Sequence, residues 1–301
     1  MNIVSLLPSA TEIVCALGLG GSLVGVSHDC DYPPEVLSHR VLSDATVTSA
    51  MPSAHIDAAI RERVHTGKSV YHLDAASLSA LKPDLILTQE LCRVCAPSFS
   101  DVRQAARILE GRTRIVSLEP HGLDDILETI LEVGHLAGVE RAAEALAAEL
   151  RGRIELVRRL PPLVPAPRLA CIEWLDPIFI AGHWVPEMVA LAGGLDGLAR
   201  PRQDSKVAPW NAIVAYAPEV IVVMPCGFDI ARTRAEIGLL TGRPGWHDVP
   251  AVRTGRVYLT DGSAYFNRPG PRIVRGLEIL ADVFRAPGGR FHAEGVESLA
   301  G

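Results

Sequence analysis

Apolar and polar positions follow two rhythms along this chain. Short apolar runs at Ile3–Leu6, Leu23–Val26, Asp84–Leu87 and Arg114–Leu118 predict strands. Helical spacing separates them. Ile13, Val14 and Leu17 share a helical stripe that stops at Gly18. Ser9-Ala10-Thr11-Glu12 just before it has capping-box spacing, with Ser9 as N-cap and Glu12 reaching back. A helix before Asp84 is capped by Asp74 and ended by Pro83. Strands that alternate with helices predict a mostly parallel sheet.

The middle of the chain is helical. Residues 123–136 form one pattern. After Gly138, Ala143, Leu146, Ala147, Leu150, Ile154 and Val157 make a stripe that runs toward Leu160. About 20 residues at a rise of about 1.5 Å span roughly 30 Å, the width of a small domain. Pro161-Pro162-Leu163-Val164-Pro165-Ala166-Pro167 ends the helix and reads as a stiff connector. Alternation then resumes. Leu169–Ile172, Val220–Val223 and Val257–Leu259 are predicted strands, with helices near 185–192, 209–217, 230–240 and 270–284. The predicted fold class is α/β: two lobes, each a mostly parallel sheet flanked by helices, joined by one long bridging helix. The expected division is residues 1–119, a helical bridge and connector over 120–167, and residues 168–301.

With 301 residues, 48% of them hydrophobic, the chain can fill one large core or two ordinary ones. A net charge of -6 argues against a nucleic-acid partner. Arg151, Arg153, Arg158 and Arg159 alternate with acids and apolar residues, as on a solvated helix face. No stretch has the roughly 18 apolar residues of a membrane span. The start, Met1-Asn2-Ile3-Val4-Ser5-Leu6-Leu7-Pro8, has neither a basic segment nor an apolar run of signal length. Taken as it stands, it predicts a cytoplasmic protein with reduced cysteines. A start elsewhere would make it periplasmic or surface-tethered.

Candidate chemistry clusters after the strands. His28-Asp29-Cys30, Gln89-Glu90-Leu91-Cys92-Arg93-Val94-Cys95, Glu173-Trp174 and Cys226-Gly227 all sit at or just past short apolar runs. Loops beyond the carboxyl ends of strands are where open α/β sheets bind ligands. Cys92-x-x-Cys95 with Cys30 and Cys226 could supply thiolates to a metal, or each could pack as a small apolar group. Cys15 and Cys171 read as core. Trp174 either covers a flat ligand or packs under its loop. His183 is a ligand, a hydrogen-bond donor or a satisfied loop residue. Ser9 at a helix start suits a polar partner, or capping alone.

A family resemblance runs through the chain. Ser5-Leu6-Leu7-Pro8-Ser9-Ala10-Thr11-Glu12, Ala16-Leu17-Gly18, Val24-Gly25-Val26-Ser27 and Asp31-Tyr32-Pro33-Pro34 resemble the opening of the vitamin B12-binding substrate-binding proteins of ABC importers. Ala80-Leu81-Lys82-Pro83-Asp84-Leu85-Ile86, Gly193-Gly194, Gly255-Arg256-Val257-Tyr258 and Tyr265-Phe266-Asn267-Arg268-Pro269-Gly270-Pro271-Arg272 extend the match in order. The resemblance implies two lobes bridged by a rigid helix and a cobalamin-like corrinoid held in the cleft without chemistry. Together with the strand-end positions above, it predicts ligand contacts from Ser9, His28, Asp29, Cys30, Gln89, Glu90, Cys92, Glu173, Trp174, His183, Trp184, Cys226, Tyr265, Phe266 and Arg268. It also implies a glutamate on each lobe for docking an ABC permease. Those positions here are Ala76 and Asn211, and the cysteines depart from the family pattern. A cytoplasmic metalloprotein or metal-dependent enzyme, using Cys30, Cys92, Cys95 and Cys226 with His28, is the alternative.

Overall fold

The computed structural model describes residues 1–45, 47–48, 50–66, 71–89, 113–286 and 291–299. The chain divides into two units. One comprises Met1–Met51, Ala58–Pro120 and Asp124–Glu149, the other Pro52–Asp57, His121–Leu123 and Leu150–Gly301.

The first unit is built on strands β1 (Ile3–Ser5), β2 (Leu23–Val26), β5 (Leu85–Thr88) and β6 (Arg114–Ser117). They form a fully parallel sheet in the order β2-β1-β5-β6. Strands β1 and β5 are buried throughout, which explains why both read as unbroken apolar runs rather than alternating ones. Helix α1 (Pro8–Ala16) corrects the capping-box expectation. Its N-cap is Leu7, which makes no side-chain cap, and Ser9 lies inside the first turn, buried. Pro8 starts the helix instead, because its fixed φ suits the first turn and its missing N–H is one that a helix leaves unpaired there. Cys15, expected in the core, is half-buried. A separate antiparallel pair, β3 (Ser43–Ala45) and β4 (Tyr71–Leu73), brackets α2 (Ser53–His65). Helix α3 (Ala75–Leu81) is capped as expected. Asp74 accepts the Ser77 N–H at 3.0 Å, and Lys82 turns left-handed before Pro83. Helices α4 (Leu123–Ala137) and α5 (Glu140–Arg158) follow. Residues of α5 to Glu149 belong to the first unit and those from Leu150 to the second.

The second unit carries β7 (Leu169–Leu175), β8 (Ile178–Ile180), α6 (Val185–Ala192), β9 (Lys206–Val207), α7 (Trp210–Tyr216) and β10 (Val220–Val223). After them come α8 (Ile230–Glu236), α9 (Gly238–Thr241), α10 (Pro250–Arg253), β11 (Val257–Thr260), α11 (Gly262–Tyr265), α12 (Ile273–Arg285), β12 (His292–Ala293) and β13 (Val296–Ser298). The seven strands order as β12-β13-β11-β10-β7-β8-β9. Its centre, β11-β10-β7, is parallel as predicted. Antiparallel strands extend both edges. Antiparallel neighbours need only tight turns, and these edge strands are too short to show a period. Ile172, Ile180, Ile221, Val223, Trp246 and Leu259 anchor the main core. Cys171, buried in β7, is core as expected.

Candidate functional site

In the first unit, three groups lie past the carboxyl ends of β1, β2 and β5. The first is a buried hydroxyl chain. Thr11 Oγ1 donates to Ser5 Oγ at 2.8 Å, and Cys30 Sγ lies 3.0 Å from Thr11 Oγ1. Cys30 therefore points inward and is buried. The second is His28. Its Nδ1 is 2.9 Å from Ser43 Oγ and its Nε2 is 3.4 Å from Asp29 Oδ2, with the Tyr71 ring 5.6 Å away. The third is Gln89, which is buried. Glu90, Cys92 and Cys95 lie outside the described residues. Among the described residues, no three His, Cys, Asp or Glu side chains are placed to hold a metal.

In the second unit, Glu173 and Trp174 lie inside β7, which runs on to Leu175 instead of stopping at Ile172 as expected. Glu173 accepts the Ser205 hydroxyl at 2.7 Å and a backbone N–H from Gly182. Burial pushes its pKa up, and those two hydrogen bonds offset part of the shift. The Trp174 ring tilts against Phe228 at 5.2 Å, and the Arg232 guanidinium sits 4.4 Å over the other ring. Trp174 Nε1 is buried with no hydrogen-bond partner.

His183 occupies a strained backbone position, at φ 52°. Its N–H donates to Gln203 O at 2.6 Å, and its carbonyl accepts from Arg202 N at 2.8 Å. Gly182 makes this possible, because a Cβ there would collide with the backbone of Gln203, Asp204 and Ser205. His183 Nδ1 is a second buried polar atom without a hydrogen-bond partner. Burial lowers the His183 pKa, Asp204 at 4.0 Å opposes this, and His121, with its ring 6.3 Å away, adds to it.

The remaining predicted contacts separate. Trp184 and Phe266, expected to line the site, are core residues. Both are buried, and Trp184 Nε1 donates to Phe266 O at 2.8 Å. An indole in an apolar interior needs such an acceptor, and the α11–α12 loop supplies it. Tyr265 is half-buried, its hydroxyl 3.3 Å from Glu294 Oε1 and its ring filling the space beside Gly295. Arg268 is half-buried. Cys226 is half-buried and donates its backbone N–H to Glu173 O at 3.1 Å. Ala76 on α3 and Asn211 on α7 are exposed. Ser43, Ser205, Phe228 and His121 were not legible as site residues. Each meets its partner only through folding, and none stands in a local motif.

Glu173 makes stability depend on pH. Its folded pKa lies above the ordinary carboxylate value, so the folded state holds more protons than the unfolded one between those two values. Stability should fall as pH rises through that window. Glu173→Gln should abolish this fall, read as urea midpoints across acid to neutral pH. An unchanged pH slope would place the Glu173 carboxyl in water.

The profile of the periplasmic binding protein family matches residues 3–264. An uncharacterized ABC transporter substrate-binding lipoprotein of Bacillus subtilis, YvrC, is 26% identical over 289 residues, covering 93% of this chain and 79% of that protein. The vitamin B12-binding protein of Vibrio cholerae is 25% identical over 283 residues, covering 92% of this chain and 86% of that protein. A periplasmic heme-binding protein of Pseudomonas aeruginosa has the same fold, with a TM-score of 0.70 at 20% identity, covering 99% of this chain and 97% of that one. The match over most of its length shows that the chain belongs to the periplasmic binding protein family.

Proposed function

We propose that this protein binds a cobalamin-like corrinoid and holds it without transforming it. The likeness to the Vibrio cholerae vitamin B12-binding protein supports this ligand class. The observation that carries the reading is that Trp174 Nε1 and His183 Nδ1, two of the six buried polar atoms without a hydrogen-bond partner among the described residues, belong to aromatic side chains of the candidate site. A buried polar group without a partner costs about 1–3 kcal/mol, which a ligand group can return on binding. Trp174 also offers an aromatic face beside Phe228 and Arg232. A ring flanked by a few placed polar groups suits a flat ligand with a polar rim. Ala76 and Asn211 carry no charge, so carboxylate docking to a permease does not run through these two positions.

The test is absorbance titration of the full chain with cyanocobalamin, and with haemin alongside. Saturable binding of the corrinoid, at least about tenfold tighter than haemin, is expected. Trp174→Phe keeps the ring and removes the donor. It should weaken cyanocobalamin by about tenfold, one lost hydrogen bond, and leave the ligand-free protein at least as stable as before. No corrinoid binding, or tighter haemin binding, would overturn the ligand. Unchanged affinity in Trp174→Phe would remove Trp174 from the site.

A further inference from the structure

The His28–Asp29 pair presents one donor and one acceptor side by side, and Ser43 decides which is which. Ser43 Oγ accepts the backbone N–H of His28 at 3.2 Å, and the same oxygen lies 2.9 Å from His28 Nδ1. Ser43 is buried, so its hydroxyl hydrogen needs an acceptor, and among the described residues Nδ1 is the one within reach. Nδ1 then accepts, and the neutral ring carries its hydrogen on Nε2. Nε2 faces Asp29 Oδ2 at 3.4 Å, and Asp29 is exposed. The pair stands past the end of β2, on the edge of the parallel sheet where ligands bind.

We propose that His28 and Asp29 form a recognition site for a primary carboxamide, with Ser43 as the positioning residue, and that this site selects corrinoids bearing peripheral amides against tetrapyrroles bearing peripheral carboxylates. The inference rests on the corrinoid reading above. An amide oxygen accepts from His28 Nε2–H while the amide nitrogen donates to Asp29. A carboxylate can only accept, and it brings a second negative charge up to Asp29. Like charges set against each other in a binding site carry a penalty that amides escape. A hydrogen on Nε2 also makes His28 a donor rather than a metal ligand. This reading turns the candidate thiolate–imidazole cluster into an amide clamp at its His28 end.

The probes are cyanocobalamin and its separated monocarboxylic acids, in which one peripheral carboxamide is hydrolysed. The full-length protein should bind at least one of these acids about tenfold or more weakly than cyanocobalamin. Asp29→Asn, an exposed change that leaves packing intact, should restore that same acid selectively. Ser43→Ala, checked for folding by circular dichroism, should shrink the same discrimination because the ring loses its fixed hydrogen. Equal binding of all the acids, or a penalty that Asp29→Asn leaves in place, overturns the clamp while the corrinoid reading stands. Failure to bind cyanocobalamin itself overturns both.

Discussion

Phe228→Ala should lower stability by about 3–5 kcal/mol, the range for emptying a buried aromatic site. Phe228 is 1% exposed just past β10. Its ring packs against both the Trp174 ring and the Arg232 guanidinium. Arg232 in turn pairs with Glu236, and the Glu236 carboxylate accepts the Ser53 N–H at the start of α2 at 3.2 Å. The alanine variant therefore removes the ring that packs against Trp174 and leaves a cavity. Cyanocobalamin affinity should fall along with the denaturant midpoint. Phe228→Leu separates the two roles: it keeps most of the volume and loses the stacked guanidinium, worth about 0.5–2 kcal/mol. A cost below about 1 kcal/mol for the alanine variant, within the spread of surface substitutions and mild changes, would mean that the ring is not packed.

Trp184→Ala should cost a similar amount, about 3–5 kcal/mol. The indole is 5% exposed and hydrogen-bonded to the Phe266 carbonyl, and Phe266 itself is fully buried. Trp184→Phe isolates the hydrogen bond. It leaves a buried carbonyl unpaired and should cost about 1–3 kcal/mol. Both variants should bind cyanocobalamin nearly as well as the parent when folded, because Trp184 faces the interior. A loss of affinity with stability intact would return Trp184 to the ligand site. Guanidinium unfolding followed by tryptophan fluorescence measures the first quantity, and absorbance titration the second.

Local pattern was legible wherever one segment carried its own reason to fold. The apolar runs at β1, β2 and β10 are buried strands, and Val220–Val223 is bounded as its four-residue run implied. Asp74 caps α3 because cap and helix are neighbours in sequence. Of the stripe from Ala143 to Val157, all but the half-buried Leu146 form the buried face of α5. The capping box failed although its letters were right. Pro8 one position earlier begins the helix first, and an extended Leu7 takes the cap position. The β8–β9 and β12–β13 edges went unseen because strands of two or three residues carry no periodicity.

The site was legible in address rather than in detail. Sequence alone placed His28 and Cys226 past the ends of strands, because an apolar run followed by polar residues marks a strand end; Glu173 and Trp174, expected there too, lie within β7. Sequence also determined the α/β class and the family resemblance, since both are written in the order of local segments. Tertiary structure decided which side chains stay available. Trp184 and Phe266 stand next to the half-buried positions His183, Tyr265 and Asn267 in sequence, yet turn inward, where the indole N–H donates to the Phe266 carbonyl. His183 and Arg202 are both left-handed, joined by one backbone hydrogen bond from Arg202 N–H to the His183 carbonyl, while the His183 N–H donates to the Gln203 carbonyl. Ser43 reaches His28 from 15 residues away and orients its ring. Burial, tautomer and orphaned polar atoms depend on what surrounds a residue in space, and a local pattern of residues carries no record of those surroundings.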